Sequence, residues 1–206
     1  MVGLVLAAGA GVRFGGPKGL ARTPDREPWV ARAVRTLRDA GCSSVLVATG
    51  AAADEVAALV PPGATVVRVP DWSDGLSATV RAGLAAARET DAEAIVIVPV
   101  DAPDLPMAAV RRVISAAGER PEAALVQAAY HGVPGHPALL GRAHWDSAAA
   151  TMRADRGAGT YLASHGAQMI ECSDLWSGAD VDEREPPGYA QAVVPRNPLT
   201  DAGASG

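Results

Sequence analysis

The sequence predicts an α/β fold, a single three-layer domain whose sheet is mostly parallel but mixed. Short apolar runs typical of buried strands alternate with segments of helical periodicity in the first half of the chain. The 206 residues suit one domain of this class, and no repeat or long linker divides them. We expect the domain to span residues 1–194, and residues 195–206, which lack an apolar period, to form a flexible tail.

Four apolar runs predict the first strands, and two amphipathic segments predict helices between them. The strands are Val2–Leu6, Ser44–Ala48, Thr65–Val69 and Ala94–Val98. Pro28–Ala40 and Ser77–Arg88 place apolar residues on one stripe and arginines on the other, as surface helices do. This alternation indicates parallel strands covered by helices on both faces of the sheet.

The pattern becomes less regular after these elements. Met107–Ala117 predicts a helix, and Ala123–Tyr130 and His136–Leu140 predict strands. Residues 131–135 join them and contain two glycines, which predicts a hairpin-like connection and hence a mixed sheet. The remaining predicted elements are a helix over Gly159–His165, a strand over Ala167–Glu171 and a terminal helix over Pro186–Ala192.

Composition and charge exclude several classes of protein. The net charge is −5 and aromatic residues are 4% of the chain, which argues against a nucleic-acid partner. No apolar run approaches the ~20 residues of a membrane span, and the N-terminus lacks the basic segment of a signal peptide. Cys42 and Cys172 form neither a CxxC motif nor a Cys/His cluster, which indicates a reducing, cytoplasmic location. The four scattered tryptophans are expected to pack in the core or at its rim.

A glycine-rich loop follows the first strand and ends at Lys18, the only lysine among 18 basic residues. Glycines let the backbone approach a ligand with its N–H groups turned inward, and Arg13 and Lys18 add two cations, which together favour a polyphosphate. The dinucleotide motif G-x-G-x-x-G fails at Phe14. A Walker A loop fails because Pro17, which has no N–H, precedes the lysine.

An acidic residue follows the fourth predicted strand. Asp101 lies just past the carboxyl end of that strand, where open α/β sheets bind ligands. A divalent ion held there would bridge phosphates and neutralise their charge. Asp104 stands two residues before Pro106 at a predicted helix start, and we interpret it as a cap.

The motif from Leu6 to Lys18, L-A-A-G-x-G-x-R-F-G-x-x-K, resembles the signature of the MobA-like NTP transferases. These enzymes transfer a nucleoside monophosphate from a nucleoside triphosphate (NTP) to an acceptor and release pyrophosphate. The resemblance is greatest to the molybdenum cofactor cytidylyltransferase (MocA-like) group, and it covers roughly residues 1–192. It implies a fold of the nucleotide-diphospho-sugar transferase (GT-A, Rossmann-like) type. The supporting segments are Asp74-Gly75-Leu76-Ser77-Ala78, Pro99-Val100-Asp101, Gly135-His136-Pro137, Asp155-Arg156-Gly157-Ala158 and Asp180-Val181-Asp182.

The resemblance also implies roles for individual residues. Arg13, Lys18 and Asp101 are expected to be catalytic, and Asp101 and Asp182 are expected to hold Mg²⁺, with Asp180 as the alternative to Asp182. Relatives continue from that position with Thr-Pro-Glu-Asp, whereas this chain continues with residues 183–186, Glu-Arg-Glu-Pro. The expected nucleotide-binding residues are Leu6, Ala7, Ala8, Gly9, Gly11, Gly75 and Ser77, with a helix N-cap as the alternative role of Ser77.

The base and the acceptor follow from smaller differences within the family. Ala-Ala-Gly in the first loop goes with cytidylyl transfer and Ala-Gly-Gly with guanylyl transfer, and a methyl group at Ala8 narrows the base pocket, so we expect CTP. His136, Asp155 and Arg156 lie on the implied acceptor side, where Arg156 would bind the phosphate of a pterin-type acceptor. An ordinary hydrogen-bonded strand histidine is the alternative for His136. Relatives carry a further arginine where this chain has Gly159.

Several functions stay open at this point. A molybdenum cofactor cytidylyltransferase would hand its product to a molybdoenzyme partner. A guanylyltransferase using GTP and a cytidylyltransferase for another sugar or alcohol phosphate share the predicted fold. A nucleotide- or cofactor-binding chaperone without turnover is the non-enzymatic alternative.

Overall fold

In the computed structural model, a sheet with helices on both faces is formed by residues 1–154 and 156–183, the residues that the structure describes. The strands are β1 (Val2–Ala7), β2 (Ser44–Thr49), β3 (Thr65–Arg68), β4 (Ala94–Pro99), β5 (Leu125–Tyr130), β6 (Val133–Gly141) and β7 (Gln168–Glu171). The helices are α1 (Trp29–Asp39), α2 (Ala53–Ala57), α3 (Leu76–Arg88), α4 (Met107–Ala116), α5 (Trp145–Thr151) and α6 (Ala158–Ser164). The predicted helix over Pro186–Ala192 and the predicted tail lie outside the described residues.

The strands follow the order β3-β2-β1-β4-β6-β5-β7 across the sheet. Within the described residues, β6 runs antiparallel to both of its neighbours, and the other four pairs are parallel. The prediction of a mostly parallel, mixed sheet is therefore confirmed.

Two apolar cores lie on opposite faces of the sheet and make the domain three-layered. Alternate residues of β1 face opposite sides: Val5 and Ala7 contribute to one core, and Leu4 and Leu6 to the other. Helices α1 and α4 cover the first core, and α3, α5 and α6 cover the second. Since both faces are covered, the central strands are apolar along their whole length rather than alternating.

The hairpin between β5 and β6 is tighter than predicted. Only His131 and Gly132 lie between the two strands, with φ angles of 53° and 77°, and β6 already begins at Val133. Two consecutive positive φ angles are the geometry of the short turns that match strand twist. Helices α2 and α5 were not predicted, because five and seven residues are too few to show a helical period.

Two predicted helix caps are wrong. The residue flanking the start of α4 is Pro106, and Asp104 instead accepts a hydrogen bond of 3.5 Å from the guanidinium of Arg32. Ser77 is the second residue of α3, which follows Gly75 at a φ of 99° without a side-chain cap. Helix α4 starts from the extended backbone of Pro106, and helix α3 starts from the positive φ angle of Gly75.

The strand order places the carboxyl ends of β1 and β4 side by side. From β1 the chain moves to β2 on one side and later returns to β4 on the other, so the order reverses between β1 and β4. Ligands of open α/β sheets bind in the crevice at such a reversal. No helix among the described residues is long and apolar enough to cross a membrane.

Candidate active site

The loop after β1 folds back on itself at Gly11. Gly11 has a φ of +59°, and a Cβ atom there would lie 2.0 Å from the carbonyl oxygen of Gly16. The Gly16 N–H donates a hydrogen bond of 3.0 Å to the Gly11 carbonyl, and the Gly15 N–H donates one of 3.3 Å to Val12. Only glycine fits at position 11, because a side chain would displace the backbone that closes the loop.

Consecutive backbone donors of this loop are available to a ligand. Within residues 1–154 and 156–183, the N–H groups of Ala10, Gly11 and Val12 donate to no backbone or side-chain acceptor. A Cβ atom at Gly9 would have no atom within 4 Å, so space is open in front of the loop. Successive free N–H groups around a concave surface are typical of an anion-binding site.

Lys18 ends the loop and bridges two carboxylates. Its Nζ atom lies 2.8 Å from Oδ2 of Asp101 and 3.2 Å from Oδ1 of Asp182. Partial burial opposes the charge on the ammonium, but hydrogen bonds and attraction to both carboxylates raise the pKa of Lys18 overall. Arg13 lies at the rim with its side chain 76% exposed, and its guanidinium is 3.5 Å from Asp182.

The segment containing Asp180 and Asp182 is held against the end of β4. The Val181 N–H donates a hydrogen bond of 2.9 Å to the backbone carbonyl of Asp101. Burial, with repulsion from Asp101 and Asp182, raises the pKa of Asp180 to about 6, although attraction to Lys18 opposes this. The three acidic residues therefore lie around one ammonium group.

The donor set fits a magnesium ion that also binds phosphates. Oδ1 of Asp101 is buried and has no hydrogen-bond partner among the described residues. No three His, Cys, Asp or Glu residues of the described chain form a metal cage by themselves. Mg²⁺ commonly uses one or two carboxylates together with substrate phosphates, so two carboxylates such as those beside Lys18 would suffice as its protein ligands.

A cleft of about 510 Å³ opens in front of the glycine loop and the end of β4. Eight of the predicted site residues line it: Leu6, Ala8, Gly9, Gly11, Lys18, Gly75, Asp101 and His136. Asp180 also lines the cleft. Asp182 and Arg13 lie at its rim, where Asp182 contacts Lys18 and Arg13 contacts Asp182.

Three predicted residues lie away from the cleft lining. Ala7 is 2% exposed and belongs to the first core. Ser77 is buried, and its Oγ accepts a hydrogen bond of 3.1 Å from Arg81. Arg156 is exposed on the surface, and Asp155 lies outside the described residues.

His136 borders the cleft as a neutral imidazole. Its Nδ1 atom is buried and has no hydrogen-bond partner among the described residues. Burial lowers the pKa of His136, although a hydrogen bond to the Ile97 backbone and the charge of Asp101 oppose this. Since the bond to the Ile97 backbone uses the one N–H of the neutral ring, Nδ1 can accept a further hydrogen bond without adding a charge to the cleft.

Seven further residues line the cleft that were not among the predicted site residues: Ala10, Trp72, Ser73, Leu76, Thr79, Pro99 and Val100. Leu76 and Thr79 belong to α3, and Trp72 and Ser73 lie in the 3-10 turn before it. A single tryptophan in a loop carries no periodicity, so only the proximity of Asp74-Gly75-Leu76-Ser77 could have indicated it.

Comparison with protein families matches residues 3–169 to the MobA-like NTP transferase domain. A curated protein from Paenarthrobacter nicotinovorans named nicotine blue oxidoreductase is 34% identical over 197 residues, covering 90% of this chain and 93% of that protein. The predicted family is thus confirmed, and the narrower assignment to the MocA-like group is not shown.

Solved structures show the same fold. Rv0371c from Mycobacterium tuberculosis H37Rv is 29% identical with a TM-score of 0.72, over 88% of this chain and 92% of that one. A structure of Rv0371c in complex with manganese is 27% identical with a TM-score of 0.65, over 83% and 87%. A nucleotidyl transferase from Methanothermobacter thermautotroptrophicus is 20% identical with a TM-score of 0.72, over 88% and 91%, which is a likeness of fold alone.

Proposed function

The chain belongs to the MobA-like NTP transferase family, and on this basis we propose that it transfers CMP from CTP to a phosphorylated acceptor and releases pyrophosphate. The preferred acceptor is a pterin-type phosphate such as molybdopterin or the molybdenum cofactor. We assign this catalytic domain to residues 1–194. A molybdoenzyme would then be the partner that receives the product.

The proposal rests on one observation. The glycine loop, which has free backbone N–H groups among the described residues, lies next to the cluster of Lys18, Asp101 and Asp182. Loop N–H groups suit the phosphate oxygens of an NTP, and the cluster lies where the triphosphate would end. A cleft of about 510 Å³ accommodates a nucleotide beside a second small molecule. A purely structural glycine turn would need neither the free donors nor the partly buried charges of Lys18 and Asp101.

The reaction requires positioning and charge stabilisation, without a covalent intermediate on the protein. An oxygen of the acceptor phosphate attacks the α-phosphorus, and the bond from the α-phosphorus to the oxygen that bridges it to the β-phosphorus breaks. Pyrophosphate leaves with that electron pair. The loop N–H groups hold the triphosphate in line, and Lys18 and Arg13 stabilise the negative charge that grows on it.

Asp101 and Asp182 would hold Mg²⁺ at the phosphates. When bound, the ion supplies charge neutralisation for the leaving pyrophosphate. The unpartnered Oδ1 of Asp101 and the manganese complex of the relative Rv0371c support this assignment. Asp180 is the alternative second ligand, since it lines the same cleft.

CTP is favoured over GTP by the Ala7-Ala8-Gly9 sequence of the first loop. Ala8 borders the cleft, but it is 2% exposed and packs in the second core, so the preference for CTP rests on the sequence of this loop and not on a methyl group that faces the base. At the other end of the cleft, His136 would contact the acceptor. Arg156, and Asp155 beside it in the sequence, would have to approach the cleft from the surface to bind the acceptor phosphate.

One observation favours a second candidate function. The relative from Paenarthrobacter nicotinovorans is named an oxidoreductase, and it matches 90% of this chain at 34% identity. A redox activity predicts that the protein consumes a reduced nicotinamide nucleotide in the presence of a dye acceptor. Absorbance of that nucleotide over time distinguishes this candidate from nucleotidyl transfer, which leaves the absorbance unchanged.

Pyrophosphate release with each of the four NTPs, Mg²⁺ and a phosphorylated pterin tests the proposed function. We expect release with CTP, and a loss of about 10²-fold or more in Lys18→Ala and Asp101→Ala, since each removes a charge that stabilises the transition state. Arg120→Gln is the matched control, because among the described residues the side chain of Arg120 pairs only with Glu122 on the surface. Release with GTP alone would favour the guanylyltransferase, and release only with another sugar or alcohol phosphate would change the acceptor. Tight CTP binding without release in all mixtures would favour the chaperone alternative.

A further inference from the structure

One of the four tryptophans is placed differently from the other three. Trp29 and Trp145 are 6% and 1% exposed and belong to the two cores. Trp176 packs edge-on against Tyr130, with ring centroids 5.3 Å apart. Trp72 is only partly buried and lines the cleft. Trp72 packs against the rim of the second core, as the sequence predicted, but unlike the other three tryptophans it also lines the cleft.

Gly50 allows Trp72 to lie this close to the glycine loop. A Cβ atom at Gly50 would lie 2.5 Å from Cβ and 2.6 Å from Cγ of Trp72, and 2.8 Å from the carbonyl oxygen of Ala8. The Ala8 carbonyl also accepts the Ala51 N–H at 2.9 Å, which fixes this backbone against the loop. The indole is thus supported from behind by backbone.

The sheet order gives Trp72 a defined position along the cleft. Trp72 follows β3 and packs on Gly50, which follows β2, so it lies on the β2–β3 side. The glycine loop follows β1 in the middle, and Asp101 and His136 come from β4 and β6 on the other side. A nucleotide whose triphosphate is held by the glycine loop would therefore have Trp72 on one side and the acidic residues on the opposite side.

The surroundings of Trp72 suit a flat heteroaromatic ring. Within the described residues, the indole N–H of Trp72 donates to no acceptor, so it is available to a ligand. Gly75, Leu76 and Thr79 line the same part of the cleft, and of the three only Thr79 carries a side-chain hydroxyl. Carboxylates line the cleft only at its other end, among the described residues, through Asp101 and Asp180.

We propose that Trp72 is the face on which the base of the nucleotide stacks, with Gly50 as the residue that permits this position. The proposal rests on the proposed function, because it takes an NTP as the ligand. Stacking on an aromatic side chain is tolerant of base identity, since every base has a π-face. Trp72 therefore supplies affinity for all four NTPs, and the choice of CTP depends on other groups.

Tryptophan fluorescence with CTP and Mg²⁺, in the absence of acceptor, tests the proposal directly. We expect CTP to quench the wild-type emission. Calorimetry, which does not depend on the indole, should show that Trp72→Leu weakens CTP binding about tenfold while Trp72→Phe weakens it much less. Trp176→Phe is the matched control, because it removes a tryptophan away from the cleft and should keep the full quench. Unchanged CTP affinity in Trp72→Leu, or a quench that survives in Trp72→Phe, would overturn the proposal.

Inorganic triphosphate separates stacking from a damaged loop. It lacks a base, so Trp72→Leu should bind it as the wild type does. Equal weakening of CTP and triphosphate binding would overturn the stacking role.

Two further outcomes distinguish this proposal from the proposed function. Normal CTP affinity in Trp72→Leu with a raised KM for the acceptor would place the acceptor's ring on Trp72 and overturn the stacking of the base. Absence of nucleotidyl transfer in the wild type, together with CTP binding that depends on Trp72, would overturn the reaction and support the stacking proposal.

Discussion

Lys18 occupies the position between two carboxylates that a metal ion would otherwise share. Its ammonium lies 2.8 Å from Asp101 and 3.2 Å from Asp182. A compact point charge can turn from these carboxylates towards a phosphate when nucleotide enters, whereas the planar fork of an arginine is suited to bidentate contacts. The single lysine of an otherwise arginine-based chain therefore has a physical reason for its place.

Lys18→Gln should change the affinities for metal and nucleotide in opposite directions. Removing the ammonium leaves Asp101 and Asp182 without their counter-charge, so Mn²⁺ should bind the nucleotide-free protein severalfold more tightly. CTP should bind about tenfold or more weakly, because a hydrogen bond to a charged group is lost. Titration of Mn²⁺ by electron paramagnetic resonance and of CTP by calorimetry measures the two effects. Arg120→Gln, on the surface away from the cleft, is the control, and a parallel fall of both affinities in Lys18→Gln would contradict this role.

Lys18→Arg should keep the fold and lose activity. The charge is conserved, but the guanidinium is larger and cannot rotate in place as an ammonium does. We expect kcat/KM for pyrophosphate release to fall about tenfold or more, with thermal unfolding close to wild type, as for loss of a charged hydrogen bond. Near-normal turnover would mean that any cation suffices at this position.

For individual residues, the sequence predicted the charged groups of the cleft better than the uncharged residues that line it. Lys18 and Asp101 were identifiable because each stands at the end of a strand or loop with a chemical signature. Trp72 and Thr79 reach the cleft only through the packing of α3 and the turn before it, which no local pattern records. Ser77 was misplaced for the same reason, since α3 begins one residue earlier than its apolar period indicates.

Among the loops and strands, the glycine loop after β1 has the strictest requirement for glycine at one position. A Cβ atom at position 11 would meet the Gly16 carbonyl at 2.0 Å, whereas one at Gly9 would meet nothing within 4 Å. Gly11→Ala should therefore deform the loop and abolish CTP binding, with a stability loss of about 1 kcal/mol or more from the positive φ. Gly9→Ala should leave stability unchanged and weaken CTP binding only if the ligand fills the open space. Thermal unfolding and CTP calorimetry of both variants measure this, and normal CTP binding by Gly11→Ala would contradict the loop's role.

The end of β7 stabilises the β5–β6 hairpin through one carboxylate. Glu171 accepts backbone N–H groups of His131 and Gly132 at 3.2 Å each, and the hydroxyl and N–H of Ser173. Hydrogen bonds from Ser173, and then from the backbone of Gly132 and His131, lower the pKa of Glu171 from 4.5 to about 2, although slight desolvation opposes this. The ionised form is therefore the one that the folded state prefers.

Glu171→Gln should reduce stability in a pH-dependent manner. Because the folded pKa lies below the unfolded one, the contribution is full above pH 4.5 and is lost as the pH falls towards about 2. The difference in unfolding free energy between wild type and variant should shrink over that window, as measured by urea unfolding at several pH values. Glu119→Gln, at an exposed loop position, is the control. A difference that stays constant from pH 7 to about pH 2 would contradict the role assigned to the carboxylate.

Strands and long helices were predictable because their periods extend over whole elements. The central strands are buried on both faces, so they read as continuous apolar runs, and α1 and α3 show full amphipathic stripes. The hairpin length was not predictable, because the turn depends on two positive φ angles, one of them at the non-glycine residue His131. Short helices such as α2 have too few turns to show a pattern.

For the whole molecule, the reversal of strand order explains why distant residues form one site. In the sequence, Lys18 is 83 positions from Asp101 and 164 positions from Asp182. All three residues nevertheless lie at one edge of the sheet. Parallel strands align their carboxyl ends, so every loop at that edge can contribute to one cleft. The class of fold and its binding edge were therefore predictable from the sequence, whereas the pairing of Lys18 with two carboxylates required the packed structure.

Labelled CTP shows whether this protein moves a nucleoside monophosphate from CTP to a phosphorylated acceptor. With label on the α-phosphorus, we expect the label to appear in the acceptor product. With label on the γ-phosphorus, we expect the label to appear in pyrophosphate, and neither product to form in Asp101→Ala. Release of γ-label as inorganic phosphate, or retention of α-label in CTP with every phosphorylated acceptor, would contradict the proposed transfer.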